Sequence, residues 1–239
     1  MFHFDKDFAI FVGVLSTNVT HKHFALQISV SVNPDMELTV KGGEKICGNA
    51  FILNSNIEHK LISRSTQLSI LFNPLSSIGY YLGGVELNSS ISTVNVVLSK
   101  QLIEVFTSFE CEVITFIELC KSVSKILSSF QSKCELDYNL GDDRIVKAIE
   151  YMTNNFEKVL SVEEVAEQCY LSPSRFLHLF KEKTNLTFRR YQLWNKLIKS
   201  LPFLVKNSIT ETAYTFGFSD SSHYTRTFKE TFGVTPKFL

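Results

Sequence analysis

The chain has no surplus of charge. Its 24 basic and 24 acidic side chains cancel over 239 residues, which excludes a uniformly basic nucleic-acid binder and an acidic tail. Cysteines are few and odd in number, five, with no C-x-x-C and no close Cys/His spacing. That argues against a disulfide framework and against a zinc module. Long apolar runs are missing, so no membrane-spanning helix is expected. The opening Met1-Phe2-His3-Phe4-Asp5 lacks the basic-then-apolar order of a secretory signal. These absences point to a soluble cytosolic protein with reduced thiols. What is present is enough to build a core: 44% of residues are apolar and 20% charged, at a length suited to one large domain or two small ones.

Glycine is scarce and unevenly placed, with seven of the ten in the first 84 residues. That part also reads as strands. Phe24 to Val32 alternates large apolar with small or polar residues, the pattern of a strand with one face on a core. Asn33-Pro34-Asp35 turns the chain, and Met36 to Val40, Ala50 to Leu53 and Leu68 to Phe72 read as further strands. Short strands with glycine-rich turns predict a small barrel or sandwich. From about Ser99 the period becomes helical. Leu102, Phe106, Phe109, Val113, Phe116, Cys120, Val123, Leu127 and Phe130 recur at three- and four-residue steps, with a break near Phe109-Glu110. This stripe either packs on the strands or forms part of a dimer seam. The polar stretch from Gln131 to Gly141 is the best linker candidate. The resulting division is 1–98, 99–131, a linker at 132–141, and 142–239.

The last segment contains a repeat. Ser161-Val162-Glu163-Glu164-Val165-Ala166 matches Ser208-Ile209-Thr210-Glu211-Thr212-Ala213, 47 residues later. Ser followed three residues on by Glu is a capping-box signature, so each copy marks a helix start. Phe180-Lys181-Glu182 matches Phe228-Lys229-Glu230 at an offset of 48, and Asn185 then matches Gly233. Asn and Gly best tolerate the left-handed backbone that ends a helix. Between these marks lie tight turns, Cys169 to Ser172 in one copy and Gly217 to Asp220 in the other, with Ser172-Pro173 set up as N-cap and first helical residue. Each copy is therefore a helix, a tight turn and a second helix.

The second copy, Gly217-Phe218-Ser219-Asp220-Ser221-Ser222-His223-Tyr224-Thr225-Arg226-Thr227-Phe228-Lys229 followed by Phe232-Gly233-Val234-Thr235-Pro236, resembles the AraC/XylS family of bacterial transcription regulators. The first copy and the preceding Ile145, Ala148, Tyr151, Met152 and Asn155 fit as well, so the resemblance covers about 142–239. It implies an α+β chain: an N-terminal cupin-like barrel, a helical segment, then an all-α domain of seven helices. In that domain a linker helix, here about Phe188 to Val205, separates two helix-turn-helix units that enter successive major grooves. It places Ser174, Leu177 and His178 at base-reading positions on the first recognition helix, with Lys181 on the same exposed face. On the second it places Ser222, Thr225 and Arg226, with Ser221 beside them. Arg226 is the strongest candidate, because guanidinium pairs two hydrogen bonds with guanine. Pro202 departs from the pattern and is expected to kink the linker helix or end it early. Lys196 stands where arginine is typical, and the chain stops just after the last expected helix begins.

His21-Lys22-His23, Gln27 and His59 look like the remains of a cupin motif. Alternating strand positions aim His21, His23 and His59 inward. Gln27 replaces the carboxylate usual in metal-binding cupins, and a barrel-mouth or structural role without metal or cofactor is the expectation, with His21, His23, Gln27 and His59 also standing as effector-pocket candidates. An organic effector in a Phe-lined barrel is the alternative use of the domain. The resemblance therefore implies a regulator, taken as an activator, that binds double-stranded promoter DNA in the bacterial cytoplasm, meets RNA polymerase, dimerises and answers to a small-molecule or protein effector. The rival readings are a metal-dependent cupin enzyme with a helical appendage and an anti-activator that binds no DNA. The charge distribution favours DNA: from Leu171 onward 11 basic residues face 4 acidic ones.

Overall fold

The computed structural model describes residues 1–5, 7–43, 45–85, 91–92, 96–137, 141–155 and 160–238. In chain order the first part contains β1 (Phe2–Phe4), β2 (Phe8–Gly13), β3 (Leu26–Ser31), β4 (Met36–Val40), β5 (Lys45–Gly48), β6 (Ala50–Leu53), β7 (His59–Ser63) and β8 (Gln67–Phe72). Then come α1 (Ser77–Val85), β9 (Ile91–Ser92), α2 (Val96–Glu110) and α3 (Phe116–Asp137). The strands form two antiparallel sheets, one of six strands in the order β1-β2-β8-β3-β6-β9 and one of three in the order β5-β4-β7. Among the described residues their pairing does not close into a barrel, so the sandwich half of the sequence expectation is the one realised.

One face of the large sheet is a row of branched residues. Ile10 pairs with Ile70, Ile70 with Ile28, and Ile28 with Ile52, across four adjacent strands. Val12, Val30, Leu68, Leu26 and Phe72 extend the same face, and Ile78 and Leu82 of α1, Leu98, Leu102 and Phe106 of α2, and Leu119, Val123 and Leu127 of α3 pack into one core with it. This is how β-branched side chains stabilise a pleated surface: cross-strand contact first, then burial under helices. The 102–127 stripe therefore packs on strands, and Val113 and Ile117 are left 74% and 67% exposed. The break between the helices spans Cys111 to Thr115, and Glu112 turns it with φ +58°.

The opposite face is different in kind. Gln27, Ser29, Ser31, Gln67 and Ser69 are polar, yet all are buried. β3 is thus covered on both faces, not one as its alternation suggested. It lies in the middle of its sheet, with helices over the isoleucine face. Met36, Leu38 and Leu61 of the small sheet form a second core with Phe51 and Leu53 of β6. Two sheets share an interior there, in which His23, Gln27, Ser29 and Ser69 are linked by side-chain hydrogen bonds while Gln67 and His59 Nε2 have no such partner.

The second part contains α4 (Asp143–Asn154), α5 (Val162–Gln168), α6 (Pro173–Thr184), α7 (Phe188–Leu204), α8 (Ile209–Thr215), α9 (Ser221–Phe232) and a 3-10 turn at Pro236–Phe238. Two compact units result: Met1–Tyr138 together with Lys229–Leu239, and Asn139–Phe228. α3 runs to Asp137, so the first part of the expected linker is helical, and 138–140 lie outside the described residues. α7 passes through Pro202 and ends two residues later. A proline in the last turn forfeits only one intrahelical bond near an end that frays in any case.

Within the first unit, Val19 N–H donates to Gly233 O at 3.4 Å. Gly233 holds φ +72°, and a Cβ there would overlap Asn18 Oδ1 and press on His21. Gly233→Ala is expected to lower stability by more than the ~1–2 kcal/mol of the left-handed conformation alone. Gly233→Asn, which tolerates that backbone, is expected to recover only part of the loss in a denaturant titration. Full recovery would show that the overlap costs nothing.

Candidate functional site

The two helix-turn-helix copies match in backbone detail. Ser161 Oγ accepts from Glu164 N at 3.0 Å, and Ser208 forms a full capping box with Glu211, whose carboxylate accepts from Ser208 N at 3.0 Å. Glu164 takes the Tyr151 hydroxyl at 2.8 Å, which ties α5 to α4. In the first turn Tyr170 adopts φ +55°, and in the second Gly217 adopts φ +68°. The helices after the turns end at Asn185, φ +59°, and Gly233, φ +72°. The left-handed residues are thus 47 and 48 positions apart, the offsets of the sequence repeat. Tyr170 was not legible as such a residue, since tyrosine carries a Cβ penalty there. Only its alignment with Gly217 signals it.

The turns aim one face of each second helix outward. On α6, Phe176, Leu179 and Phe180 are buried, and Ser174, Leu177, His178 and Lys181 are exposed together along the other face. His178 Nδ1 lies 3.8 Å from Glu182 Oε2, one turn on. On α9, Tyr224, Thr227 and Phe228 are buried, Ser222 and Arg226 are exposed, and Ser221 and Thr225 are half-buried. Of the eight expected residues, six are thus exposed and two are half-buried. Asp220 caps α9, its carboxylate accepting from His223 N at 2.7 Å, and this bond holds the Asp220 carboxyl below its usual range. Arg175, Arg189 and Arg190 are also exposed, the last two in the first turn of α7. Arg189 and Arg190 lie outside the two recognition helices on which the sequence analysis centres; the Arg-Arg pair two residues after the Thr187 N-cap is the sequence signal for them.

α7 connects the copies. Its Tyr191 packs on Phe180 of α6 at 5.8 Å between ring centroids. Gln192 donates to Leu160 O at 2.6 Å, and Lys199 to Thr153 O at 2.6 Å. On the other side Lys196 donates to Gly217 O at 3.3 Å, and Ser200 Oγ and Tyr224 OH are 2.8 Å apart. Burial pushes the Tyr224 hydroxyl up to about 12, so it stays a neutral partner.

The four N-terminal candidates also meet. His21 and His59 face each other across an antiparallel bridge, His21 N donating to His59 O at 2.9 Å and His59 N to His21 O at 2.8 Å. Ring centroids lie 4.4 Å apart for His21 and His59, 5.0 Å for His23 and His59, and 5.5 Å for His21 and His23. His23 Nε2 is 2.8 Å from Gln27 Oε1, and Gln27, Ser29 and Ser69 continue the chain of contacts. One ligand nitrogen from each histidine lies within 4.8 Å of the others. Burial, then mutual repulsion between the rings, lowers His21 to about 4 and His59 to about 2; burial also lowers His23. The cluster is neutral at pH 7.

A family profile described as a helix-turn-helix domain matches residues 165–239. The transcriptional activator RhaS of Yersinia pestis bv. Antiqua (strain Angola) is 34% identical over 106 residues, 42% of this chain and 38% of that protein. The chain thus spans well under half the length of the curated relatives it matches. Among solved structures, ToxT from Vibrio cholerae O395 aligns over 98% of this chain and 97% of its own, with a TM-score of 0.60 and 18% identity. Wild-type ToxT from Vibrio cholerae strain SCE256 with an unsaturated fatty acid bound aligns over 99% and 95%, with a TM-score of 0.59 and 18% identity. At such identities the likeness is one of fold. It extends over both units, strands included.

The depressed histidine values fix the sign of one pH effect. Unfolded histidine takes up a proton near 6.5, and His21 in the folded chain resists protonation to about 4. Between these values the unfolded state binds more protons, so stability is full above about pH 6.5 and falls as pH drops toward 4. A thermal-melt series from pH 7.5 to 4.5 is expected to show this decline, with a shallower slope in His21→Gln. An equal slope would place the acid sensitivity elsewhere.

Proposed function

We propose that the chain is a sequence-specific DNA-binding regulator of transcription, on the premise that its C-terminal helices form an AraC/XylS-type double helix-turn-helix domain. The observation that carries this reading is the pairing of two exposed faces, on α6 and α9, built on the same backbone template and both in contact with the one helix between them. Two short helices with matched outward faces suit two successive major grooves of one duplex. Ser174, Leu177, His178, Ser222, Thr225 and Arg226 read bases. Leu177, 41% exposed, supplies an apolar contact of the kind that fits a thymine methyl. Lys181 and Ser221, with Arg175, Arg189 and Arg190, hold phosphates, which positions the domain without specifying sequence. The local surplus of basic residues from Leu171 onward supplies attraction that the neutral whole chain does not.

The strand-rich unit is the regulatory half, answering to a small-molecule or protein effector. Its support is a buried polar interior between two sheets and whole-chain likeness to a protein solved with a fatty acid bound. Val113 and Ile117, exposed at the start of α3 and in the turn before it, support self-association through that end of the helical segment. Activation through RNA polymerase and a non-enzymatic role belong to the same reading, supported by the similarity to the transcriptional activator RhaS. No helix of the described residues is long and apolar enough to cross a membrane.

Genome-wide footprinting in the source bacterium supplies the operator, and salt-dependent anisotropy on that fragment tests the faces. Arg226→Ala is expected to cost about 1–3 kcal/mol on the specific site and to relax preference at one base position. Lys181→Ala is expected to weaken all sequences alike and to reduce the salt slope by about one. If both variants bind as the parent chain does, α6 and α9 are not the reading helices.

A further inference from the structure

We propose that Lys196 and Ser200, one turn apart on α7, are positioning residues that set how α9 presents its exposed face, so that base preference under α9 depends on two side chains outside that face. This role rests on the DNA-binding reading above. Its ground is a difference in how α7 meets the two reading helices. Toward α6 the contact is made by rings: Phe188 lies edge-on to Phe176 at 5.6 Å and to Phe180 at 6.4 Å. The hydrogen bonds of Gln192 and Lys199 go to Leu160 and Thr153, not to α6. Apolar packing is not directional. Toward α9 and the turn that leads into it, α7 contributes hydrogen bonds, which weaken steeply when their angle is lost.

Two bonds fix two coordinates of α9. Lys196 Nζ donates to Gly217 O at 3.3 Å. Gly217 is the left-handed residue, φ +68°, directly after α8 and its Phe216 cap, so this bond fixes where the chain sets out toward α9. Ser200 Oγ donates to Leu197 O at 2.6 Å. Its one proton is thereby committed, and the 2.8 Å contact with Tyr224 runs the other way: the tyrosine hydroxyl donates and Ser200 accepts. Ser200 and Tyr224 are both fully buried, so water is no substitute for either partner. The Tyr224 ring is a long lever on α9, and a bond at its tip resists rotation of the helix about its own axis. Thr225 and Arg226 follow Tyr224 directly, so such a rotation would swing both of them relative to a base pair.

Stability alone does not account for Lys196. Burial lowers the pKa of its ammonium from the ordinary lysine range, and among the described residues no carboxylate pairs with it. A cation partly withdrawn from water for one neutral acceptor adds little stability. What the bond supplies is direction.

The test uses the full chain and the operator fragment, with each base pair of the site replaced in turn. Positions at which Arg226→Ala flattens preference belong to α9, and those flattened by His178→Ala belong to α6. Lys196→Met keeps the apolar stem and loses the donor. It is expected to reduce discrimination about two- to tenfold, the worth of one hydrogen bond, at the α9 positions and to leave the α6 positions as in the parent chain. Lys196→Arg, which keeps a donor, is expected to match the parent. Ser200→Ala and Tyr224→Phe are expected to flatten the same α9 positions, and the double variant no more than either alone, because each removes the same bond. An equal loss at α6 and α9 positions is what a merely destabilised domain would give; it overturns the proposal, as does unchanged discrimination. A second arm needs no DNA. In amide hydrogen exchange of the free chain, Lys196→Met is expected to quicken exchange at Phe218 and along α9 while α6 keeps the parent rates. Equal acceleration in both helices, or none in either, overturns the proposal. A parent chain with no base preference overturns the DNA-binding reading instead, and the exchange arm then still decides whether Lys196 holds α9.

Discussion

The second unit depends on α7. A helix-turn-helix copy of this length exposes half of its short helices and buries too little apolar surface to stand alone. α7 gives both copies something to pack on. Tyr191 and Phe188 complete the aromatic cluster of the first copy with Phe176 and Phe180. Ser200 and Lys196 reach Tyr224 and the Gly217 carbonyl of the second. Gln192 and Lys199 hold the carbonyls of Leu160 and Thr153, at the start of α5 and the end of α4. Lysine performs here as a long donor whose stem lies against the helix and whose ammonium meets a carbonyl left over at a turn or helix end. α6 and α9 thus share one helix as their support.

The first unit solves a different problem. Its large sheet has one apolar face under three helices and one polar face toward a second sheet. A buried polar face is costly unless its groups pair. Gln27, Ser29 and Ser69 pair in line across β3 and β8. Gln67 lies in the same interior with both amide atoms lacking hydrogen-bond partners, as His59 Nε2 does. An interior with paired and unpaired polar atoms side by side has chemistry left over for a ligand, whereas the isoleucine row opposite has none.

Much of this was legible in particular residues. Ser161, Ser172 and Ser208 announced their caps, and Asn185 and Gly233 their left-handed ends, because caps and αL positions are decided within four residues of chain. β4 and β6 fell where their residues placed them. Other elements were not legible. β2 and β7 lack clean alternation, and α1 begins Ser77-Ile78-Gly79-Tyr80, a glycine-containing run with no acidic first turn. Gly79 is required there because its Cα passes close to the backbone of Asn73 and Pro74. The histidines were recognised as a group, but their tautomers were not, since these follow from the carbonyls of Val19, Ala25 and Ile57, which only the folded loops bring near each Nδ1.

By itself the sequence determined the class of each half and the outward faces of α6 and α9. Both follow from local periodicity and capping, which need no knowledge of distant residues. Tertiary structure decided that β3 is buried on both faces, because burial depends on what covers a strand and not on its own alternation. It also decided that the described strands form two sheets that do not close on each other, that Pro202 sits in a last turn, and that His21, His23, Gln27 and His59 converge. Convergence is a long-range property: His21 and His59 are far apart in the chain, and only the backbone bridge between them makes their side chains one site.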